Sequence, residues 1–490
     1  MKFISFSHKL LIILVLAITA ITSCKKTEIV TINIQQPTAR FTVLVTDFFD
    51  GFQTQRTTAV IDSNFYFRNN SDFGDSITYH WDFGDGTTST EKNPKHSYAK
   101  RGTYKVTLIV SNDNKAFDTL QQTLRVILGQ QHIGFGEGTK VSPVAIEETA
   151  TNEFMLLAVK DNGTSYLLIQ LDSLLKQKSM KIFPSNYRLT SMKSTDDGNY
   201  IFTGSTQATD KGNELIKLKA DGTQLWSKSL STNDHYTYAT PTPDGGFAVV
   251  GSRPVPAPFG NTTYNTVITK TDNNGNTTWQ KLLNMEGMIQ SRNALIEPDG
   301  IVVSGVKRDV TSSCWNCDSL LIIKLDNTGN VVWKNTVLWG LNTSNWGSTH
   351  IAKLANSNYV VTNQGTKGLF FFSPAGQFLD RKLAPSHITG LTNADNGDLV
   401  ILQSEGGNGF RIGITQMNLD GARQWYAYPD GRLKVPGGYS CCSTSWPVAI
   451  KSLQKGGTIT IGYRVNDNTT GNDYHTNIIL LELDEAGNFK

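Results

Sequence analysis

One phrase returns along the last three quarters of this 490-residue chain: an apolar run, a polar turn of Asp, Asn and Gly, and a strand carrying one tryptophan. It reads LIKLKADGTQLWSKSL around Trp226, VITKTDNNGNTTWQKLL around Trp279, LIIKLDNTGNVVWKNTV around Trp333 and ITQMNLDGARQWYAY around Trp425. The tryptophans at 226, 279 and 333 are spaced by 53 and 54 residues, and Leu379 and Trp425 continue the series at 46 and 46. Leu379, in GQFLDRKL, marks a degenerate copy. A repeat of this period fixes the architecture, because each unit is one supersecondary block that buries its apolar face only against a neighbouring copy.

Each unit reads as a strand A, a polar turn such as DDGN or PDGG, and a strand B often ending in glycine (YIFTGST, FAVVGSR, IVVSGVKR, TITIGYRV). Strand C, the Asp/Asn-Gly turn and the tryptophan strand D follow. Four short strands per unit at this spacing predict a β-propeller over residues 128–490. Strands B fall near residues 154, 200, 247, 301, 359, 398 and 457, which argues seven blades. Six or eight result if the weak units at 140–183 or 347–383 are misread. The last unit stops at AGNFK, one strand short, and a closed ring pairs its last blade with its first. Residues 129–136 are therefore expected to supply the missing strand. The strand D tryptophans are expected to pack blade against blade.

Residues 38–127 alternate differently. The clearest stretch is YHWDFGDGTTSTEKNPKHSYAKRGTYKVTLIVSN at 79–112. Tyr79, Trp81 and Phe83 share one strand face, Gly84-Asp85-Gly86 gives a turn, and Tyr104, Val106, Leu108 and Val110 share a second face. With Trp81, Asp82, Phe83, Gly84, Asp85 and Gly86 followed by Pro94, His96, Tyr98, Gly102, Thr103 and Tyr104, this stretch resembles the PKD domain, an immunoglobulin-like β-sandwich common in extracellular and bacterial surface proteins. The resemblance implies structural roles for these residues and a spacer or weakly adhesive module. Asp82 and Asp85 are weighed as calcium ligands, but calcium takes several oxygens, and two carboxylates beside a turn read as hydrogen-bond acceptors. No cofactor is expected. The fold class is thus all-β, a PKD-type immunoglobulin-like β-sandwich followed by a seven-bladed β-propeller. The repeat phrase itself resembles one found in propellers of bacterial and archaeal surface lipoproteins, most closely in PDGGFAVVG at 243–251 with 273–281. It is distantly similar to quinoprotein-type propellers, in which a Gly turn and a strand tryptophan hold adjacent blades together.

The N-terminus carries Lys2 and Lys9, an apolar run over 10–21, then Thr22, Ser23 and Cys24. Residues 1–23 have the order of an export signal and too short an apolar run to span a bilayer. Ile21-Thr22-Ser23-Cys24 resembles a bacterial lipobox, which implies cleavage before Cys24, acylation of its thiol and membrane anchoring through the acyl chains. A polar tether over 24–37 would follow, in an outer-membrane or surface setting. The net charge of +3 includes the two leader lysines, so the remainder is near neutral and has no electrostatic footprint for nucleic acid. In an oxidising compartment Cys314, Cys317, Cys441 and Cys442 favour disulfides. A zinc site with two ligands from each pair is the alternative, which the adjacent Cys441 and Cys442 suit poorly.

No Gly-x-Ser-x-Gly elbow, His-Glu-x-x-His pair or phosphate loop occurs, and the eight histidines show no ligand spacing, so no enzyme is expected. Once Trp81 and the strand D tryptophans are placed, Trp315, Trp339, Trp346 and Trp446 are left in or beside the B-to-C and D-to-A connections. These connections share one face of a meandering blade. Together with Tyr439 and both cysteine pairs, the four rings are expected to decorate one rim, a surface suited to a glycan or protein partner. An assembly scaffold for an outer-membrane complex is the alternative. A glycan-active or quinone-dependent enzyme is the third reading: Cys441-Cys442 resembles the vicinal disulfide of methanol-oxidising quinoproteins, without their pocket residues.

Overall fold

The computed structural model describes residues 36–46, 53–55, 57–71, 77–113, 115–135, 139–163, 165–183, 188–205, 213–231, 233–256, 262–283, 294–308, 318–338, 349–363, 366–394, 396–405, 411–418, 422–427, 444–467 and 474–484. Apart from one 3-10 turn at Asp161–Gly163, the regular structure among them is all strand.

The first domain is a β-sandwich. One sheet runs Gln53–Gln55, Phe41–Thr46, Phe65–Asn69, Lys95–His96; the other runs Thr58–Val60, Phe117–Ile127, Gly102–Asn112, Ile77–Asp82, Thr88–Ser89. Val106, Leu108 and Val110 are fully buried because alternate residues of a strand point to one face. They meet Trp81, also fully buried, whose ring lies 5.1 Å from Phe41 and 5.5 Å from Phe67. Its Nε1 donates to the Glu91 carbonyl at 2.9 Å, so the one polar atom of the indole is satisfied inside the core.

Seven four-stranded antiparallel sheets follow among the described residues, the seven blades expected from the repeat. Strands A are Val141–Glu148, Arg188–Ser194, His235–Pro241, Ala294–Glu297, Thr349–Lys353, His387–Asn393 and Thr444–Ser452 for blades 1 to 7, and together they line the axis. Blades 1 to 6 are chain-order meanders. Blade 7 is not: Gln130–Gly134 forms its outer strand, antiparallel to strand C at Tyr474–Leu483, with Gln130 opposite Leu481 and Gly134 opposite Asn477. The segment ahead of the first blade closes the ring, as its position predicts, and leaves no unpaired gap between first and last blades.

The glycine near the end of strand B answers a bulge in strand A. Strand A is bulged between Leu189 and Ser191 in blade 2 and between Tyr236 and Tyr238 in blade 3. A β-carbon on Gly204 or Gly251 would collide with the carbonyl oxygen of Arg188 or His235.

The strand D tryptophans reach from each blade to the next. Trp226, Trp279, Trp333 and Trp425 lie on outer strands Gln224–Ser229, Thr277–Leu283, Val331–Leu338 and Arg423–Ala427, and Leu379 lies on Phe378–Leu383. A β-carbon on Gly275 of blade 3 would come within 2.7 Å of the Trp226 ring, and one on Gly329 of blade 4 within 2.9 Å of Trp279. Both glycines hold left-handed backbone, at φ +77° and +85°, so conformation and contact both demand glycine. Trp279 Nε1 also donates to the Asn327 carbonyl of the next blade at 3.0 Å. Trp226 and Trp333 pack at 6.0 and 5.8 Å against Phe247 and Tyr359, which open strand B of the following blades.

Within a blade, the lysine of strand C reaches the aspartate of its own A–B turn: Lys217 to Asp197 at 2.7 Å, Lys270 to Asp244 at 2.7 Å, Lys324 to Asp299 at 2.8 Å. By register the same place in blade 7 is Glu482, which faces Ile459 as Lys270 faces Ala248. Glu482 pairs with Arg101 of the sandwich at 2.7 Å, and Arg125 reaches Asp484 at 2.5 Å. Leu128 and Gly129 alone separate the last sandwich strand from the closing strand of the ring, and Leu128 is fully buried. One apolar core runs from Trp81 through Leu128 to Ile461 and Leu480. The sandwich is seated on blade 7.

Candidate functional site

The two faces of the ring differ in construction. A–B and C–D connections are tight closures: Thr195 N bonds Asn199 O at 2.9 Å, Thr242 N bonds Gly246 O at 2.9 Å, and Asp272 and Asp326 repeat the geometry with Asn276 and Asn330. Aspartates sit in them as local acceptors. Asp326 Oδ1 takes the Thr328 and Asn330 backbone amides, and hydrogen bonds from Thr328 and Asn330 hold its carboxyl at about 2. The opposite face carries the B–C and D–A connections. Strand B of blade 2 stops at Ser205, whereas the B–C hairpin of blade 3 pairs out to Pro256 and Thr262, and that of blade 7 to Asp467 and Tyr474.

The blade 3 hairpin is braced at its base. Asp234, fully buried, accepts from Arg253 Nε at 2.6 Å, Arg253 Nη2 at 3.0 Å and Tyr236 Oη at 3.3 Å. Arg253 Nη2 also donates to Gln280 Oε1 at 3.2 Å. The two-pronged bond to Asp234 raises the Arg253 pKa above its usual value, and burial pushes the Tyr236 phenol up. Sequence reading missed this group, since its partners come from three strands and only the structure brings them together.

Cys24, Cys314, Trp315, Cys317, Trp339, Trp346, Tyr439, Cys441 and Cys442 lie outside the described residues. The strands flanking the segments that hold the internal ones end on the long-connection face, at Arg308 and Asp318, Leu338 and Thr349, and Ala427 and Thr444. Trp446 sits within a strand, the third residue of strand A of blade 7, paired with Tyr463. Its backbone belongs to the blade at the end nearest that face.

In the sandwich, the motif carboxylates stabilise the turn. Asp82 Oδ1 accepts from Gly84 N at 2.9 Å; Asp85 accepts from Thr87 N at 3.0 Å and pairs with His96 at 2.8 Å. Gly84 and Gly86 have φ of +80° and +91°, and Tyr98 Oη donates to the Phe83 carbonyl at 2.9 Å. Among the described residues no group of three His, Cys, Asp or Glu side chains is disposed to hold a metal ion.

A cavity of about 580 Å³ runs along the ring axis, walled by all seven strands A. At the tight-turn end, Glu147 of blade 1 stands between Lys193 of blade 2, at 3.0 Å, and Lys451 of blade 7. Ser194 Oγ adds a bond to Glu147 at 3.2 Å, and Lys193 Nζ lies 5.9 Å from the centre of the Tyr238 ring. Burial acts to raise the Glu147 carboxyl, but the two ammoniums outweigh it and hold it below its usual range. Glu147 in turn raises Lys193.

Comparison with known proteins separates the two domains. The PKD domain family matches residues 49–128. Pre-pro-metalloprotease PrtV of Vibrio cholerae is 53% identical over 53 residues, 11% of this chain and 6% of that protein, so the chain spans a small fraction of the relative's length. The crystal structure of the PKD1 domain of that metalloprotease is 38% identical, covering 19% of this chain and 98% of the domain, with a TM-score of 0.15. A quinonprotein alcohol dehydrogenase-like protein from Bacteroides thetaiotaomicron is 12% identical over 78% of this chain and 96% of its own, with a TM-score of 0.43. The chain carries a PKD domain, and the seven sheets that follow it close into a β-propeller.

Proposed function

We propose that this chain is a non-catalytic binding protein of the bacterial cell envelope, anchored through acylated Cys24, which recognises a glycan or protein on the long-connection face of its propeller. The observation that supports this most is the asymmetry of the ring. One face is made of tight turns and has the PKD domain seated at its blade 7 edge, through Arg101–Glu482 and Arg125–Asp484. The other face carries the projecting hairpins and the flanks of every connection that holds a candidate aromatic. An anchor on the sandwich side leaves the long-connection face directed outward, and loops on a rigid scaffold are where recognition residues concentrate.

The test is retention on a polysaccharide panel by the full chain and by Trp315→Ala, Trp339→Ala and Trp346→Ala. Retention lost in these variants with unchanged melting supports the reading. Equal retention by all removes the rim aromatics as the glycan site, and co-purification with an outer-membrane assembly complex in place of any glycan favours the assembly-scaffold reading instead. Membrane fractionation of Cys24→Ala tests the anchor separately: release into the soluble fraction is expected, and unchanged membrane retention contradicts it.

A further inference from the structure

The axial cavity carries a charge imbalance that ring packing does not require. Its charged lining side chains among the described residues are Glu147, Lys193 and Lys451, two ammoniums against one carboxylate. The carboxylate is recessed, with its side chain 3% exposed, while the side chains of Lys193 and Lys451 are 31% and 27% exposed and line the cavity. An ammonium has three hydrogens, and the bond from Lys451 to Glu147 engages one of them. The wall therefore offers donors and one net positive charge to a partly desolvated space, an arrangement that favours an anion.

We propose that the tight-turn end of the channel binds a small organic monoanion, its carboxylate held between Lys193 and Lys451. One excess charge is neutralised by one carboxylate, whereas a phosphate dianion would leave a net negative charge where charge interactions are poorly screened. A volume of about 580 Å³ admits a sugar-acid-sized molecule. Tyr238, beside Lys193, supplies an aromatic wall. This site lies on the ring axis and is independent of the recognition proposed for the rim, so either stands if the other fails.

Isothermal titration of the full chain with D-glucuronate, acetate, D-glucose and inorganic phosphate tests it, beside Lys193→Met and Lys451→Met. Saturable one-to-one binding of glucuronate is expected, with weaker binding of acetate and phosphate and none of glucose. Each lysine variant should weaken glucuronate about tenfold or more, measured at a temperature where the variant is folded, since Glu147 loses one of its two partners and the unliganded melting temperature falls. Binding of glucose equal to that of glucuronate, tighter binding of phosphate, no saturable binding of either carboxylate, or unchanged affinity in both variants would overturn the proposal. Should the lysine variants not fold, Glu147→Gln raises the net charge by one and is expected to tighten glucuronate; unchanged or weaker binding contradicts the site.

Discussion

Blades 3 and 7 are both four-stranded antiparallel sheets and differ in the charges at strand C and the A–B turn. In blade 3, Lys270 of strand C turns back to Asp244 of its own A–B turn, so the unit satisfies its polar groups internally. In blade 7 the equivalent place is Glu482, and its partner is Arg101 of the PKD domain. The A–B turn of blade 7, Leu453-Gln454-Lys455-Gly456-Gly457, has no acidic residue to offer a lysine there. Where the repeat is kept, the charge serves the blade; where it is inverted, the charge serves a neighbour. The same holds for the aromatics, with regular tryptophans reaching the next blade and irregular ones falling in or beside the connections.

Breaking the regular side of this comparison should have the largest effect. Trp279→Ala removes a ring packed under Gly329 and its bond to Asn327, and is expected to cost about 3 kcal/mol by equilibrium denaturation. Gly275→Ala forces a side chain onto left-handed backbone and into the Trp226 ring, at about 2 kcal/mol by the same measurement. The smallest effect belongs to the turn ion pairs, whose aspartates are exposed. Asp244 is subject to burial that would raise it, but Lys270, Thr242 and the Gly246 amide hold it at about 2, below its ordinary value of 3.8. Its folded pKa is depressed, so its contribution is present above 3.8 and is lost as pH falls towards 2. Asp244→Asn should lower the melting temperature slightly at neutral pH, where the carboxylate contributes, and leave it unchanged near pH 2, so the acid side of the profile flattens; the effect is small because the Asp244 side chain is 64% exposed.

Much of the scaffold was legible because its causes are local. The Asp-Gly and Asn-Gly turns, the glycine opposite the strand A bulge in blades 2, 3 and 7 and the alternating apolar strands each depend on near neighbours, and they gave the blade count and the strand 130–134 that closes the ring. Trp81 and Gly84-Asp85-Gly86 were legible for the same reason. Groups assembled across blades were not. Glu147 and Lys451 are 304 residues apart, and nothing in either strand marks them as partners. Arg101 and Glu482, 381 apart, meet because ring closure brings blade 7 beside the last sandwich strand. Trp446, read as lying just after the connection into blade 7, is the third residue of strand A, which begins at Thr444.

The central claim is that the charge inverted in blade 7 joins the PKD domain to the ring. A double-mutant cycle of Arg101→Met and Glu482→Gln, read by denaturation of the full chain, tests it most directly. Glu482 is nearly buried and Arg101 only partly so, which predicts a coupling of about 1–2 kcal/mol between the two changes. Two effects that add to within about 0.3 kcal/mol would contradict it.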